Sequence, residues 1–86
     1  MAAEEKISSI DRALDILFLL HSEGNEMGVT EIASALGLYK STVYRTLATL
    51  EKRGCVQQNS ENGKYWLGIK LYALGMAAGE KMNLKR

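Results

Sequence analysis

The sequence predicts a mainly α domain that carries one small β-hairpin. Three observations lead there. Apolar residues recur at helical spacing in three early segments, an Asn-Gly pair separates two short strand-like stretches, and helical spacing returns near the end. At 86 residues the chain has room for one domain with one core, and 47% apolar content suits folding over disorder.

Residues 1–7 carry no pattern and read as a flexible lead-in. Ser8 or Ser9 then caps a helix, because a side-chain oxygen satisfies an orphan N–H, and Asp11 suits the positive helix end. Ile10, Ala13, Leu14, Leu17 and Leu20 recur at helical spacing, and Ile16, Phe18 and Leu19 widen that apolar sector. Gly24 stops the helix, and EGNEMG (residues 23–28) reads as a turn. A short second helix follows over VTEIASAL, capped near Gly28 or Thr30, with Ile32, Ala33 and Leu36 as its buried stripe. Gly37 breaks it. A third helix is expected from about Lys40 to Arg53, its inner side marked by Val43, Leu47 and Leu50, and Gly54 ends it.

The periodicity then changes. CVQQN and KYWLG read as two short strands around SENG, where Asn62 and Gly63 both tolerate the positive φ of a tight hairpin turn. Within them Trp66 is expected in the core and Cys55 as a small buried hydrophobe. A fourth helix runs from about Ile69 to Met82, with Leu71, Leu74, Ala78 and Met82 as its seam. The domain plan is therefore a lead-in (1–7), a folded module (8–68) and a linker or dimerisation helix with its tail (69–86).

Charge is unevenly placed. Residues 1–31 hold seven acidic against two basic side chains, whereas residues 32–86 hold nine basic against three acidic. Such asymmetry fits either a polyanion-binding face or a merely solvated surface.

The pair of helices around Gly37 resolves that choice. Ile32, Ala33, Leu36, Gly37, Leu38 and Val43 stand at the offsets of a helix-turn-helix. Ala33 must be small where the next helix crosses, and Gly37 supplies the left-handed residue that turns the chain. With a basic third helix and a hairpin behind it, the unit reads as a winged helix-turn-helix: three-helix core, two-stranded wing, C-terminal linker helix. The third helix then displays Lys40, Ser41, Thr42, Tyr44 and Arg45 in its early turns. Hydroxyls and a helix N-terminus suit phosphate oxygens, and Arg45 can address guanine O6 and N7 together. Ala48 is small enough to let that helix lie deep in a groove. Thr30 can meet phosphate or simply cap the second helix, and Lys64 can reach DNA from the wing or remain a solvated edge lysine. Lys52 reads as solvated, Arg12 as an exposed ion-pair partner of Asp11 and Asp15, and His21 as a polar residue near a helix end.

Here a resemblance becomes specific. The stretch from Ser9 to Gly75 resembles the N-terminal DNA-binding domain of the IclR family of bacterial transcription regulators. It is carried by Ser9-Ile10-Asp11-Arg12-Ala13-Leu14-Asp15-Ile16-Leu17, by Glu31-Ile32-Ala33, by the run from Gly37 to Leu47, by Leu50 and Gly54, and by Tyr65-Trp66-Leu67-Gly68. The resemblance implies a winged helix whose third helix enters the major groove and whose last helix leads to an effector-binding domain. Two departures accompany it. Tyr39 stands where family members commonly have proline, and its phenol offers a further group to DNA. The sequence also stops at Arg86 without an effector domain, as an isolated DNA-binding domain or an unusually short regulator would. Any small-molecule effector would act through that absent domain.

Other classes fit poorly. One cysteine and one histidine allow no internal disulfide, no four-ligand zinc site and no recognisable nucleophile signature. No catalytic residue, metal ligand or cofactor is therefore assigned. No apolar run approaches the ~20 residues of a membrane span, and the start lacks a signal-peptide profile. The expectation is a cytoplasmic homodimer that binds double-stranded DNA, with repression and activation both open. The alternative is a winged helix serving as a protein–protein adaptor.

Overall fold

The Ser8 hydroxyl accepts a hydrogen bond from Asp11 N at 3.0 Å, and the Asp11 carboxylate takes the Ser8 N–H in return. This capping box satisfies orphan donors at both ends of one turn and starts helix α1 (Ser9–Glu23). A computed structural model describes residues 8–83 of the chain; the lead-in over residues 1–7 and the last residues of the tail lie outside them. After α1 come α2 (Val29–Leu36), α3 (Lys40–Lys52), strands β1 (Val56–Gln58) and β2 (Tyr65–Leu67), and α4 (Ile69–Lys81). The strands pair antiparallel, with Val56 opposite Leu67, Gln57 opposite Trp66 and Gln58 opposite Tyr65.

The α2–α3 corner forms as its residues require. Gly37 adopts φ 68° and ψ 36°, a left-handed conformation costly for any residue with a Cβ. The N–H groups of Gly37 and Leu38 both turn back to the Ala33 carbonyl, which closes the end of α2. Ile32 and Ala33 are buried beneath the crossing, against Val43, Leu47 and Leu50 of α3. Ile16 and Leu20 from α1, Met27, Val56 and Tyr65 complete the core, and no polar side chain among the described residues is buried in it.

Several expectations need correction. The inner side of α1 is Ile16 and Leu20, with Ala13, Leu17 and Leu19 partly covered, while Ile10, Leu14 and Phe18 are exposed. An apolar sector wider than one core can cover does not reveal which edge stays outside. In β2 the core residue is Tyr65, only 3% exposed, and Trp66 is half-buried. Cys55 is likewise half-buried. Asn62 does not take positive φ; of the Asn-Gly pair only Gly63 does, at 74°. The turn is longer than a two-residue hairpin: Asn59 N bonds Lys64 O at 2.8 Å, and Gly63 N bonds Asn59 O at 2.7 Å. Helices α3 and α4 each end one residue earlier than expected.

Gly68 joins β2 to α4 at the closest backbone approach. Its N–H donates to the Cys55 carbonyl at 2.8 Å, and Lys70 N donates to Gly54 O at 3.1 Å. A Cβ on Gly68 would collide with the Gly54 carbonyl oxygen. Beyond this junction α4 buries no residue.

Candidate nucleic-acid interface

The starts of the three core helices differ in a way that bears on function. The first turns of α1 and α2 hold acids of their own: Asp11 in the Ser8 box, and Glu31, whose Oε1 takes the Gly28 N–H at 2.7 Å. The start of α3 has neither. Tyr39 is its N-cap, makes no side-chain capping bond, and no acidic residue occupies the first turn. The partial positive charge of that helix end is therefore uncompensated, and Lys40, Ser41 and Thr42 add to it. Along α3 the sole acid is Glu51, at the far end from this start.

Val43, Leu47 and Leu50 are buried, so Ser41, Arg45, Ala48 and Lys52 face outward, and all four are exposed. Successive residues are about 100° apart around the axis, so Arg45 stands near the middle of that outward face and Tyr44 on one shoulder of it, with Thr42, Thr46 and Thr49 on the other side. Tyr44 and Glu51 lie toward the wing: after burial, these two groups push the Tyr65 phenol above its ordinary pKa. Arg45, on the outward face, borders the flank opposite Tyr44. It lines a cleft with Arg12, Thr42, Thr46 and Thr49, along with Leu14 and Leu17 of α1 and Leu71 and Leu74 of α4. The Thr46 hydroxyl is spent on the Thr42 carbonyl at 2.8 Å. Tyr39 is 84% exposed beside the start of the helix.

The remaining predicted residues sit apart from this face. Thr30 is exposed inside the first turn of α2; the N-cap is Gly28, so a capping role for Thr30 falls away. Lys64 lies at the root of the wing turn, its Nζ 3.8 Å from the Glu31 carboxylate. Thr30 and Lys64 thus border one end of α2, whereas Lys40, Ser41, Thr42, Tyr44 and Arg45 gather at the start of α3. Arg12 is half-buried and lines the cleft, which corrects its expected place on an exposed face.

Sequence reasoning missed Glu26. Its carboxylate accepts from Asn59 Nδ2 at 3.3 Å and from Asn62 Nδ2 at 3.1 Å, tying the wing turn to the α1–α2 connection. Those amides, Asn62 foremost, hold the Glu26 carboxyl below the usual carboxylate range. Nothing local in EGNEMG announces a partner more than thirty residues away. Among the described residues no three histidine, cysteine, aspartate or glutamate side chains come together as a metal ion would need.

A helix-turn-helix with an uncompensated second helix, backed by an antiparallel wing, defines a winged helix-turn-helix module. Comparison with known proteins places it further. A family model of the IclR helix-turn-helix domain matches residues 9–60, and the chain belongs to that family. It is 46% identical over 69 residues to the HTH-type transcriptional regulator XynR of Escherichia coli, covering 80% of this chain and 27% of that protein. It is 39% identical over 82 residues to the HTH-type transcriptional regulator KdgR of Dickeya chrysanthemi, covering 95% of this chain and 27% of the relative. Among solved structures it resembles an IclR family transcriptional regulator from Brucella abortus (TM-score 0.78, 32% identity, 91% of this chain and 30% of that one). It also resembles Pseudomonas aeruginosa HmgR (TM-score 0.80, 28% identity, 88% and 32%). The chain thus spans about 27% of the length of the curated relatives.

Proposed function

We propose that this chain is the DNA-reading part of a transcription regulator, with α3 in the major groove and the wing on the flanking backbone. The observation that carries the reading is the start of α3: an uncapped, acid-free helix end surrounded by Lys40, Ser41, Thr42, Tyr44 and Arg45. Phosphate satisfies such an end, and Arg45 on the outward face reaches base edges while Lys40, Thr30 and Lys64 fix register on phosphates. The mechanism is occupancy of a site, without bond making or breaking. On this reading the protein works in the cytoplasm on the bacterial chromosome; no helix among the described residues is long and apolar enough to cross a membrane.

The reading extends to a two-fold homodimer through α1 and α4. The cleft between α1, α3 and α4 measures about 800 Å³ and is largely apolar. Ile10, Leu14, Ile69, Tyr72, Leu74 and Met76 are exposed around or beyond it, an apolar face of the kind that marks a protein–protein contact. Residues 8–68 then act as the reading module and 69–86 as the linker and dimerisation helix.

Titration of labelled duplex between low and moderate salt tests the function. Lys40, Lys52, Arg53 and Lys64 offer phosphate partners on each subunit; half of them engaged in a dimer gives a log–log slope of roughly −3 to −4. Absence of duplex binding, or binding without a salt slope, would favour the protein–protein adaptor. Footprinting tests the dimer: paired, symmetric protection with half-sites ~10 base pairs apart, or a multiple of that, is expected. A single protected half-site at saturation would defeat it.

A further inference from the structure

The wing is bolted to the α1–α2 connection and the first turn of α2 at three places. Met27 and Tyr65 pair through their backbones. Glu31 faces Lys64 Nζ at 3.8 Å. Between them Glu26 takes the side-chain amides of Asn59 and Asn62, one on each carboxylate oxygen. The two asparagines are also what shapes the turn: Asn59 Oδ1 accepts from Glu61 N at 2.8 Å, and Asn62 Oδ1 accepts from Lys64 N at 2.9 Å. Each asparagine therefore uses its oxygen to bend the backbone and its nitrogen to grip one carboxylate. Both ends of the turn are referred to a single point on the α1–α2 connection. The Lys64 backbone N–H is one bond from that grip, so the direction in which its side chain leaves the wing follows from it.

A hairpin of two three-residue strands has little stiffness of its own, because a two-stranded ribbon is marginal in water, and residues 60–63 of its turn lie exposed beyond the buried Val56 and Tyr65. A ribbon that contacts DNA must nonetheless hold its basic residue in one pose, or ordering it would weaken binding. We infer that Glu26 is a positioning residue of the DNA interface: by gripping Asn59 and Asn62 it pre-sets the wing turn and the departure of Lys64 toward the phosphate backbone. The inference rests on the DNA-binding reading above and adds to it a residue that itself touches no DNA. A bystander acid near a polyanion would act oppositely, since its charge only repels phosphate.

That opposition makes the role separable by experiment. Glu26→Asp keeps the charge and withdraws the carboxylate by one methylene, so it no longer spans both amides. Binding of the full chain is measured on a duplex recovered from a random-sequence pool and on a scrambled duplex of equal composition. E26D is expected to bind both roughly three- to ten-fold more weakly, the scale of one ordinary solvent-exposed hydrogen bond expressed as binding. Amide hydrogen exchange at Gly63 and Lys64 should accelerate, while exchange in α2 and α3 stays unchanged. In a Lys64→Ala background, E26D should add no further loss on either duplex. Unchanged binding by E26D together with tighter binding by Glu26→Gln would overturn the inference and leave Glu26 a repelling charge. An equal E26D loss with and without Lys64 would also overturn it, by showing that Glu26 does not act through the wing lysine. A parent chain that binds neither duplex would instead sink the DNA reading, whatever the exchange rates show.

Discussion

Met27 and Tyr65 exchange both backbone hydrogen bonds, Met27 N to Tyr65 O at 3.0 Å and Tyr65 N to Met27 O at 2.8 Å. The α1–α2 connection is thereby a third, one-residue strand beside the wing, and the Tyr65 ring enters the core from that seam. Removing a buried aromatic side chain leaves a cavity that few neighbours can refill. Tyr65→Ala should therefore cost about 3–5 kcal/mol in denaturant unfolding. A cost below about 1 kcal/mol would show that the wing is not part of the cooperative unit.

Gly68 gives a second stability test. An added methyl would meet the Gly54 carbonyl oxygen and the Cys55 carbonyl carbon, both backbone atoms that cannot rotate aside. Gly68→Ala should destabilise the domain by about 1–3 kcal/mol, the usual cost of overpacking. A thermal midpoint equal to that of the parent would refute the close approach.

Arg45 and Lys40 should separate reading from positioning. Arg45→Ala is expected to cost about 1–3 kcal/mol on the preferred duplex and to flatten discrimination at one or two base pairs. Lys40→Ala should weaken all duplexes alike. Competition with single-base variants of the site measures both, and equal losses on preferred and scrambled sites by R45A would remove its recognition role.

The sequence and the structure agree where the controlling interaction is local. Ser8 with Asp11, Gly24, Gly37 and the 43-47-50 stripe each act within a turn or two, so helix starts, helix stops to within a residue and the inner face of α3 were readable, and so was the grouping of residues at the start of α3. The failures involve long-range partners. A three-residue strand shows alternation but not its phase, so Tyr65 and Trp66 could not be ranked before Met27 was seen to pair with β2. Ile10, Leu14 and Phe18 satisfy the same helical period as Ile16 and Leu20; only the crossing of α2 and α3 over α1 selects among them. Arg12 was misplaced because its neighbours in sequence are aspartates, whereas in space it is half-buried and lines the cleft that the threonine flank of α3 also lines.

The grip of Glu26 has a pH signature. Its carboxyl titrates below the ordinary glutamate value because the ionised form accepts the Asn62 and Asn59 amides. A depressed folded value means that the contribution is fully present above the unfolded pKa, roughly 4.3, and fades as pH falls through the folded one. Exchange at the wing turn should therefore be flat from pH 7 to 5, after correction for intrinsic rates, and rise only in stronger acid. Loosening already at pH 6 would assign the hold to another group.

The apolar cleft gives the last prediction. Leu14→Glu or Leu74→Glu places a charge where a second copy would seat, since both residues line it and both are exposed. Either variant should lose joint occupancy of paired half-sites yet still bind an isolated half-site. Unaltered joint occupancy in a gel-shift series would exclude this face from the dimer.

From Tyr72 to Ala78 every residue of α4 is exposed, and what ties the helix down is its first turn, where Lys70 meets the Gly54 carbonyl. A helix so placed is a handle on the domain, with its angle answerable to whatever grasps it. In a paired regulator the α3 of each half is a stylus of fixed shape, while the gap between the two styli is set from outside. Letters and spacing are then inscribed in different parts of the chain, and a change in what holds α4 can move a regulator to differently spaced sites without altering a letter it reads.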